Sequence, residues 1–432
     1  MNAPPPPDPA AAPGRPTLPS AVGFALAIAL VWLGGQFVRQ GVADEFQASR
    51  PELAVAWRGE SPDALAQLAR WRLAHGDAAD AARLAARALR RAPLDGPALA
   101  TYGLAMDHLG QPQVADQAVT LAGQRGWRDL PTQIWLMRRD LLAARFAGAF
   151  DHADALLRRE PTPPPGVFAI LAVAARDPRA VAPLADRLAA NPAWRAAFFA
   201  FLADPGRPST EVAAALMTRL AGSAAPPTDA EVAPYLRALV SRQRFADAAA
   251  AWRRFTPGAD GGVYDGDFER PPGSTPFDWS LTSGVGWTAS IGASPDGLRG
   301  QALNIEYDGV SPPQPLRQLL VLSPGAYRLS GRFDDVQGSG AALFGWTVTC
   351  IGADQPLATA PSPTGPAGVW RAFSATVIVP PAGCPAQWLA LTSQPAKEAT
   401  DVSAWYDDLA ISPLPADAPA IALRTAADSR RN

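Results

Sequence analysis

The side chains able to do chemistry are unevenly placed in this chain of 432 residues. Its only two cysteines, Cys350 and Cys384, form no CxxC pair and have no histidine near them in sequence. Two such thiols suit a disulfide in an oxidising compartment, with two reduced core cysteines as the alternative. The three histidines, His75, His108 and His152, all precede residue 257, and none has a Cys or carboxylate at metal-ligand spacing. His75 and His108 fall near helix ends, where an imidazole is favoured by the helix dipole. The chain has no GxSxG, no phosphate-cradling loop and no Cys–His pair, so catalysis is not expected. What remains is carboxylate. Residues 50–256 hold 26 Arg against 20 Asp plus Glu, a net of +6. Residues 257–412 hold 7 Lys plus Arg against 15 Asp plus Glu, a net of −8. Such a surplus of carboxylate oxygen can hold a hard cation or simply face water. The chain as a whole carries −2, which offers no bulk field for nucleic acid.

Positioning these groups falls to two kinds of element. Leu65, Ala69, Gly76, Ala81 and Ala88 recur as Leu99, Gly103, Gly110, Ala115 and Ala122, each 34 residues on. Small residues at Ala69/Gly103 and Ala81/Ala115 let two helices cross closely, and Gly76 and Gly110 suit a turn at positive φ. The spacing and pattern resemble tetratricopeptide repeats. Beyond residue 127 the rhythm weakens. In "FAGAFDHADALLRREP" the glycine, Gly148, is offset by 38 from Gly110. Proline-bounded helical segments follow at 165–177, 179–190, 194–203, 211–221 and 229–242, then "SRQRFADAAAAWRRF". Residues 50–256 thus read as an α-solenoid of about five or six helix pairs. Its concave face can take a protein partner, or the stack can merely space the second domain from the membrane.

After Pro257 the helical period stops. Alternating runs separated by Gly, Pro, Asp and Ser predict strands at 317–322, 326–333, 343–351, 370–379, 387–393 and 403–411. The pattern predicts an antiparallel β-sandwich over residues 257–412. "YDGDFERPP…PFDW" (264–279) and "WYDDLAI" (405–411) resemble the entry and closing strands of jelly-roll carbohydrate-binding modules. That resemblance implies a structural Ca²⁺ where first and last strands meet, held by Asp267, Glu269 and Asp408, with Asp265 and Asp407 as weaker candidates. No other cofactor is implied. It also implies a glycan site in which sugar faces stack on an exposed ring. Among Trp279, Trp287, Trp346, Trp370, Trp388 and Trp405, the Gly-flanked Trp287 reads as loop-borne, with Tyr307 or Asp308 nearby. Trp346, Trp388 and Trp405 sit in alternating strands and are expected in the core.

The flanks complete the organisation. Residues 1–19 are a Pro- and Ala-rich leader that cannot pack a core. Residues 20–38 read as a transmembrane anchor: from Ala21 to Val38 only Gln36 is strongly polar, and the run is just long enough, at 1.5 Å per residue, to span a ~30 Å hydrocarbon layer. A cleaved signal peptide is the competitor, and the long leader favours an uncleaved anchor. Residues 413–432 read as a flexible tail. The whole resembles accessory proteins of extracellular polysaccharide assembly: a single-pass protein of the bacterial inner membrane with its bulk in the periplasm, binding polysaccharide and a protein partner. The alternatives are a scaffold of another envelope complex with a protein-binding sandwich, and a glycan-active enzyme with an accessory module.

Overall fold

The computed structural model describes residues 61–159 and 166–415, except 205, 207–208, 298–299, 312–315, 336–342 and 395–400, together with the isolated positions 52 and 55. The expected leader, the anchor at 20–38 and nearly all of the tail lie outside the described residues. Among those described, no helix is long and apolar enough to cross a membrane. The chain divides into two compact units, residues 1–162 and 163–432.

The described part of the first unit forms three helix pairs: α1 (Pro62–Ala74) with α2 (Ala78–Arg91), α3 (Gly96–His108) with α4 (Pro112–Arg125), and α5 (Leu130–Leu142) with α6 (Phe146–Arg159). First helices begin at 62, 96 and 130 and second helices at 78, 112 and 146, so every step is 34. The third pair therefore keeps the period that its sequence obscures. The turn position occupied by Gly76 and Gly110 is taken by Ala144, in the same left-handed conformation, at φ 53° against 86° and 74°. Gly148 is not a displaced turn glycine. It lies within α6, where a β-carbon would stand 2.5 Å from a carboxylate oxygen of Asp140. Asp95 and Asp129 cap α3 and α5 by accepting from the Ala98 and Thr132 amides at 2.7 and 3.1 Å. Close crossing explains Gly103: a β-carbon there would approach Val119 Cγ2 to 2.5 Å and the Ala115 carbonyl to 3.1 Å.

The second unit opens with α7 (Val167–Ala174), α8 (Pro178–Ala189), α9 (Arg195–Leu202), α10 (Thr210–Leu220), α11 (Asp229–Ser241) and α12 (Phe245–Phe255). Here α8 packs on α10 and α9 on α11. Of their starts, those of α9 and α11 keep the 34-residue step, whereas α8 to α10 is 32 residues and α10 to α12 is 35. A buried charge holds this part. Arg195, 2% exposed, forks onto Glu231 at 2.7 and 2.8 Å. It also donates to the carbonyls of Leu188, Ala225 and Pro226 at 3.0–3.2 Å. Glu231 in turn accepts from the Thr228 amide, closing the capping box of α11. Every donor so satisfied offsets the desolvation of the pair.

Nine strands are described: β1 (Trp287–Ala293), β2 (Gln301–Tyr307), β3 (Leu316–Leu320), β4 (Gly325–Asp335), β5 (Phe344–Cys350), β6 (Pro356–Pro361), β7 (Arg371–Val379), β8 (Gln387–Ser393) and β9 (Val402–Pro413). They form two antiparallel sheets, β1-β2-β9-β4-β7 and β3-β8-β5-β6, facing each other across one apolar core. Three strands escape the alternation read from sequence: β1 and β6, each at one edge of its sheet, and β2 beside β1. Edge strands built of small and polar residues carry a weak period-two signal.

Segment 263–281 closes the sandwich without being a strand. Phe268 and Trp279 enter the core, where rings run Phe268–Trp279–Trp346–Tyr406 with centroids 5.4, 5.5 and 5.5 Å apart. Gly266 lies directly on the β9 backbone and its carbonyl accepts from the Leu409 amide at 2.9 Å. Phe277 points the other way and stacks on Trp252 of α12 at 4.6 Å. Cys350 and Cys384 are disulfide-bonded, tying the end of β5 to the residues before β8.

Two stability measurements test this architecture. Ala144→Gly should stabilise the first unit by about 0.5–1 kcal/mol, the left-handed strain relieved less the backbone entropy lost, and raise its denaturation midpoint; a fall would mean the turn is not strained. The paired substitution Cys350→Ser with Cys384→Ser opens a 34-residue loop and should cost about 3 kcal/mol of sandwich stability, read by chemical denaturation.

Candidate functional site

The glycan candidates come together in space, but not in the expected role. Trp287 is the first residue of β1 and pairs with Tyr307 of β2. Their rings meet edge-on at 5.4 Å and are 1% and 3% exposed. Neither can stack on a sugar. The glycines that suggested a loop serve a tight turn: Gly284 and Trp287 exchange backbone hydrogen bonds. Gly286, at φ 70°, leaves room for the Asp308 carboxylate, which would lie 2.0 Å from a β-carbon there. Asp308 accepts from the amides of Val310 and Ser311 and from the Ser311 hydroxyl at 2.6–3.0 Å. The Ser311 hydroxyl, its strongest donor, helps hold its carboxyl below the ordinary aspartate range.

The expected calcium ligands are not gathered into a cage. Asp408 pairs with Arg332 at 3.1 Å. Glu269 accepts from the Gln301 amide at 2.8 Å and packs on Gly300. Asp267 is exposed and sits close enough to Asp265 to repel its charge. Asp407 is buried. Among the described residues no three His, Cys, Asp or Glu side chains converge to hold a metal. A Ca²⁺ shell of 6–8 oxygens needs several carboxylates aimed at one point. Here one is already neutralised by a guanidinium and another spent on a backbone amide, so the residues do not fit the ion. Their work is local. Burial, followed by the charge of Asp267, pushes the Asp265 carboxyl up to about 6.

A different residue has the geometry the glycan reading needs. Trp405 and Trp388, expected in the core, are half-buried on the outer faces of their sheets, while Trp346 is fully buried. Strand alternation puts one residue in two outside, and tryptophan on the solvent side of a central strand looks the same in sequence as one inside. Arg317 covers the Trp388 ring at 4.1 Å. Trp405 lies at the centre of the five-stranded sheet, and its indole tip reaches across β2 to within 3.9 Å of where a β-carbon of Gly292 on β1 would be. The ring thus lies along the sheet. In register beside it stand Asn304 on β2 and Asp334 on β4. The Oδ1 atoms of both are shielded from solvent and have no donor among the described residues.

One row along the same face, Thr288, Glu306 and Ser403 align across β1, β2 and β9. With Asp308 and Asp401 at the strand ends they line an open cleft of about 320 Å³. Trp287 and Tyr307 are also among the residues that line it.

No protein-family model and no curated protein matches the chain. Solved structures similar to it fall into two groups, corresponding to its two kinds of element. A carbohydrate-binding module of class CBM4 is 15% identical, covering 35% of this chain and 99% of its own, with a TM-score of 0.27. The xylan-binding CBM22-1 domain of Paenibacillus barcinonensis Xyn10C is 16% identical over 34% and 90%, with a TM-score of 0.26. For the helical region, PilF of Pseudomonas aeruginosa is 16% identical over 53% and 91%, with a TM-score of 0.28. At such low identity and TM-score nothing about ligand or partner passes from them to this chain.

The Asp265 carboxyl provides a pH test of the entry segment. Its folded value, about 6, lies above the unfolded 3.8, so the neutral form is favoured in the fold and stability falls as pH rises between them. Asp265→Asn should therefore stabilise above pH ~6.5 by about 1 kcal/mol, discounted for partial exposure, and give no gain near pH ~4. Denaturation midpoints at both pH values check it; a gain at the acid pH alone would contradict the sign.

Proposed function

We propose that this chain is a non-catalytic scaffold whose sandwich binds a glycan on the outer face of its five-stranded sheet. The helical pairs take a protein partner. The single observation that carries the glycan reading is the seat of Trp405. An indole lying along a sheet presents one π face to the sheet and the other to solvent, which is the surface that axial C–H groups of a sugar ring stack on. Asn304 and Asp334 flank it in register on the neighbouring strands, placing polar side chains beside the ring.

The wider reading rests on the sequence. Residues 20–38 anchor the chain in the bacterial inner membrane, and the described units lie in the periplasm, where the Cys350–Cys384 bridge would persist. Extracellular polysaccharide assembly is the process that best fits a tethered helical scaffold joined to a glycan-binding face.

Affinity electrophoresis of the full chain through gels containing a panel of soluble polysaccharides tests the site. At least one polysaccharide should retard the wild type. Trp405→Ala should abolish that retardation, equivalent to roughly 1–3 kcal/mol per stacked ring. Trp388→Ala, on the opposite sheet, should leave it unchanged. Retention of binding by Trp405→Ala would sink the assignment.

A further inference from the structure

The face around Trp405 is not electrically neutral, and its charge bears on what the glycan carries. Positions two apart on a strand are about 7 Å apart on one face, so the row of Thr288, Glu306 and Ser403 lies one sugar-sized step from Trp405. That cleft holds three carboxylates, Glu306, Asp308 and Asp401, and none of its nine lining residues is Lys or Arg. Further along the same face, Arg332 is already paired with Asp408. Arg371 sits over the Phe333 ring at 5.5 Å, donates to the Pro366 carbonyl, and its charge reaches the Asp334 carboxyl, not the cleft lining. Asn304 and Asp334 stand in register beside Trp405, and the buried Asp334 carboxyl accepts from the backbone amides of Asp335 and Val369. What the described lining of the cleft offers to a ligand's polar groups is therefore chiefly carboxylate oxygen.

We infer that the glycan bound here bears free amino groups, as a wholly or partly de-N-acetylated hexosamine polymer does, and that uronate- or sulfate-bearing chains are excluded. The inference rests on the reading of the Trp405 face as a glycan site. An ammonium substituent donates three hydrogen bonds and carries the countercharge that the lining residues of the cleft, Glu306 and Asp401 among them, do not supply among the described residues. A uronate on the same ring would meet carboxylates at close range, at a cost in affinity. The N-acetyl form loses the charge while keeping the ring face, so it separates stacking from ion pairing. Asp308, with its oxygens occupied by the 308–311 turn, supplies field and not a direct bond.

The test is calorimetry on the full chain with three probes of matched length: a β-1,4-glucosamine hexamer, its fully N-acetylated counterpart and an oligouronate. The glucosamine hexamer should bind roughly three- to tenfold more tightly than the N-acetylated form at low salt, the size expected of two or three exposed ion pairs. The margin should shrink as salt screens it. Glu306→Gln combined with Asp401→Asn should remove the margin while leaving binding of the N-acetylated form intact, which also shows that the variant is folded. Trp405→Ala should abolish binding of both. Equal or tighter Trp405-dependent binding of the N-acetylated form or the oligouronate would overturn the inference and leave the glycan face standing. Equal binding of a lysine oligopeptide would overturn it as well, because charge alone would then be recognised. Binding of none of the sugars, or binding indifferent to Trp405→Ala, would remove the underlying face itself.

Discussion

The second unit depends on how segment 263–281 distributes its aromatic rings. Phe268 and Trp279 turn into the sandwich, where Trp279 meets Trp346 and Trp346 meets Tyr406, so a ring from the entry segment joins rings from both sheets. Phe277, two residues before Trp279, turns outward onto Trp252 of α12. Each aromatic pair is worth about 0.5–1.5 kcal/mol beyond its buried area. Because inward and outward rings alternate along one short stretch, the sandwich cannot close without also docking the last helix. The last helices and the sandwich accordingly belong to one compact unit, although secondary structure changes type after residue 255.

The same closure sets up the outer face. With β9 drawn to the centre of its sheet between β2 and β4, the alternation that sends Tyr406 inward sends Trp405 outward. The indole extends across β2 until its tip lies at ordinary contact distance, 3.9 Å, from where a β-carbon of Gly292 would stand. Glu306 and Ser403 then fall in one row and Asn304 and Trp405 in the next, so a ring platform and an acidic cleft share a surface without sharing a strand segment.

Part of this was legible in residues. The 34-residue step located the helix pairs, because helix crossings demand small side chains at fixed positions, and Gly103 meets that demand against Val119. It failed at the third pair because Ala144 adopts a glycine's conformation at a cost the fold bears. The strands of the sandwich were legible where apolar and polar residues alternate, and β1, β2 and β6 were missed where they do not. The candidate site was half legible. Trp287, Tyr307 and Asp308 do cluster, yet the two rings face the core, since glycines that suggested a loop instead form a turn under the first strand. The acidic motif at 265–269 reads as a metal site because carboxylate spacing is visible in sequence, whereas the Arg332 and Gln301 groups that occupy Asp408 and Glu269 are distant in the chain.

Sequence by itself determined the kinds of element, the repeat length, the absence of a recognisable catalytic motif and the acidic balance of the second half, because each is a local property of residue type and spacing. Tertiary structure alone decided which tryptophan meets solvent, which carboxylates are already paired, and that Cys350 and Cys384 are bonded. Those outcomes turn on strand order and register. A shift of one residue exchanges the two faces of a strand, and no run of residues records which neighbour will lie beside it.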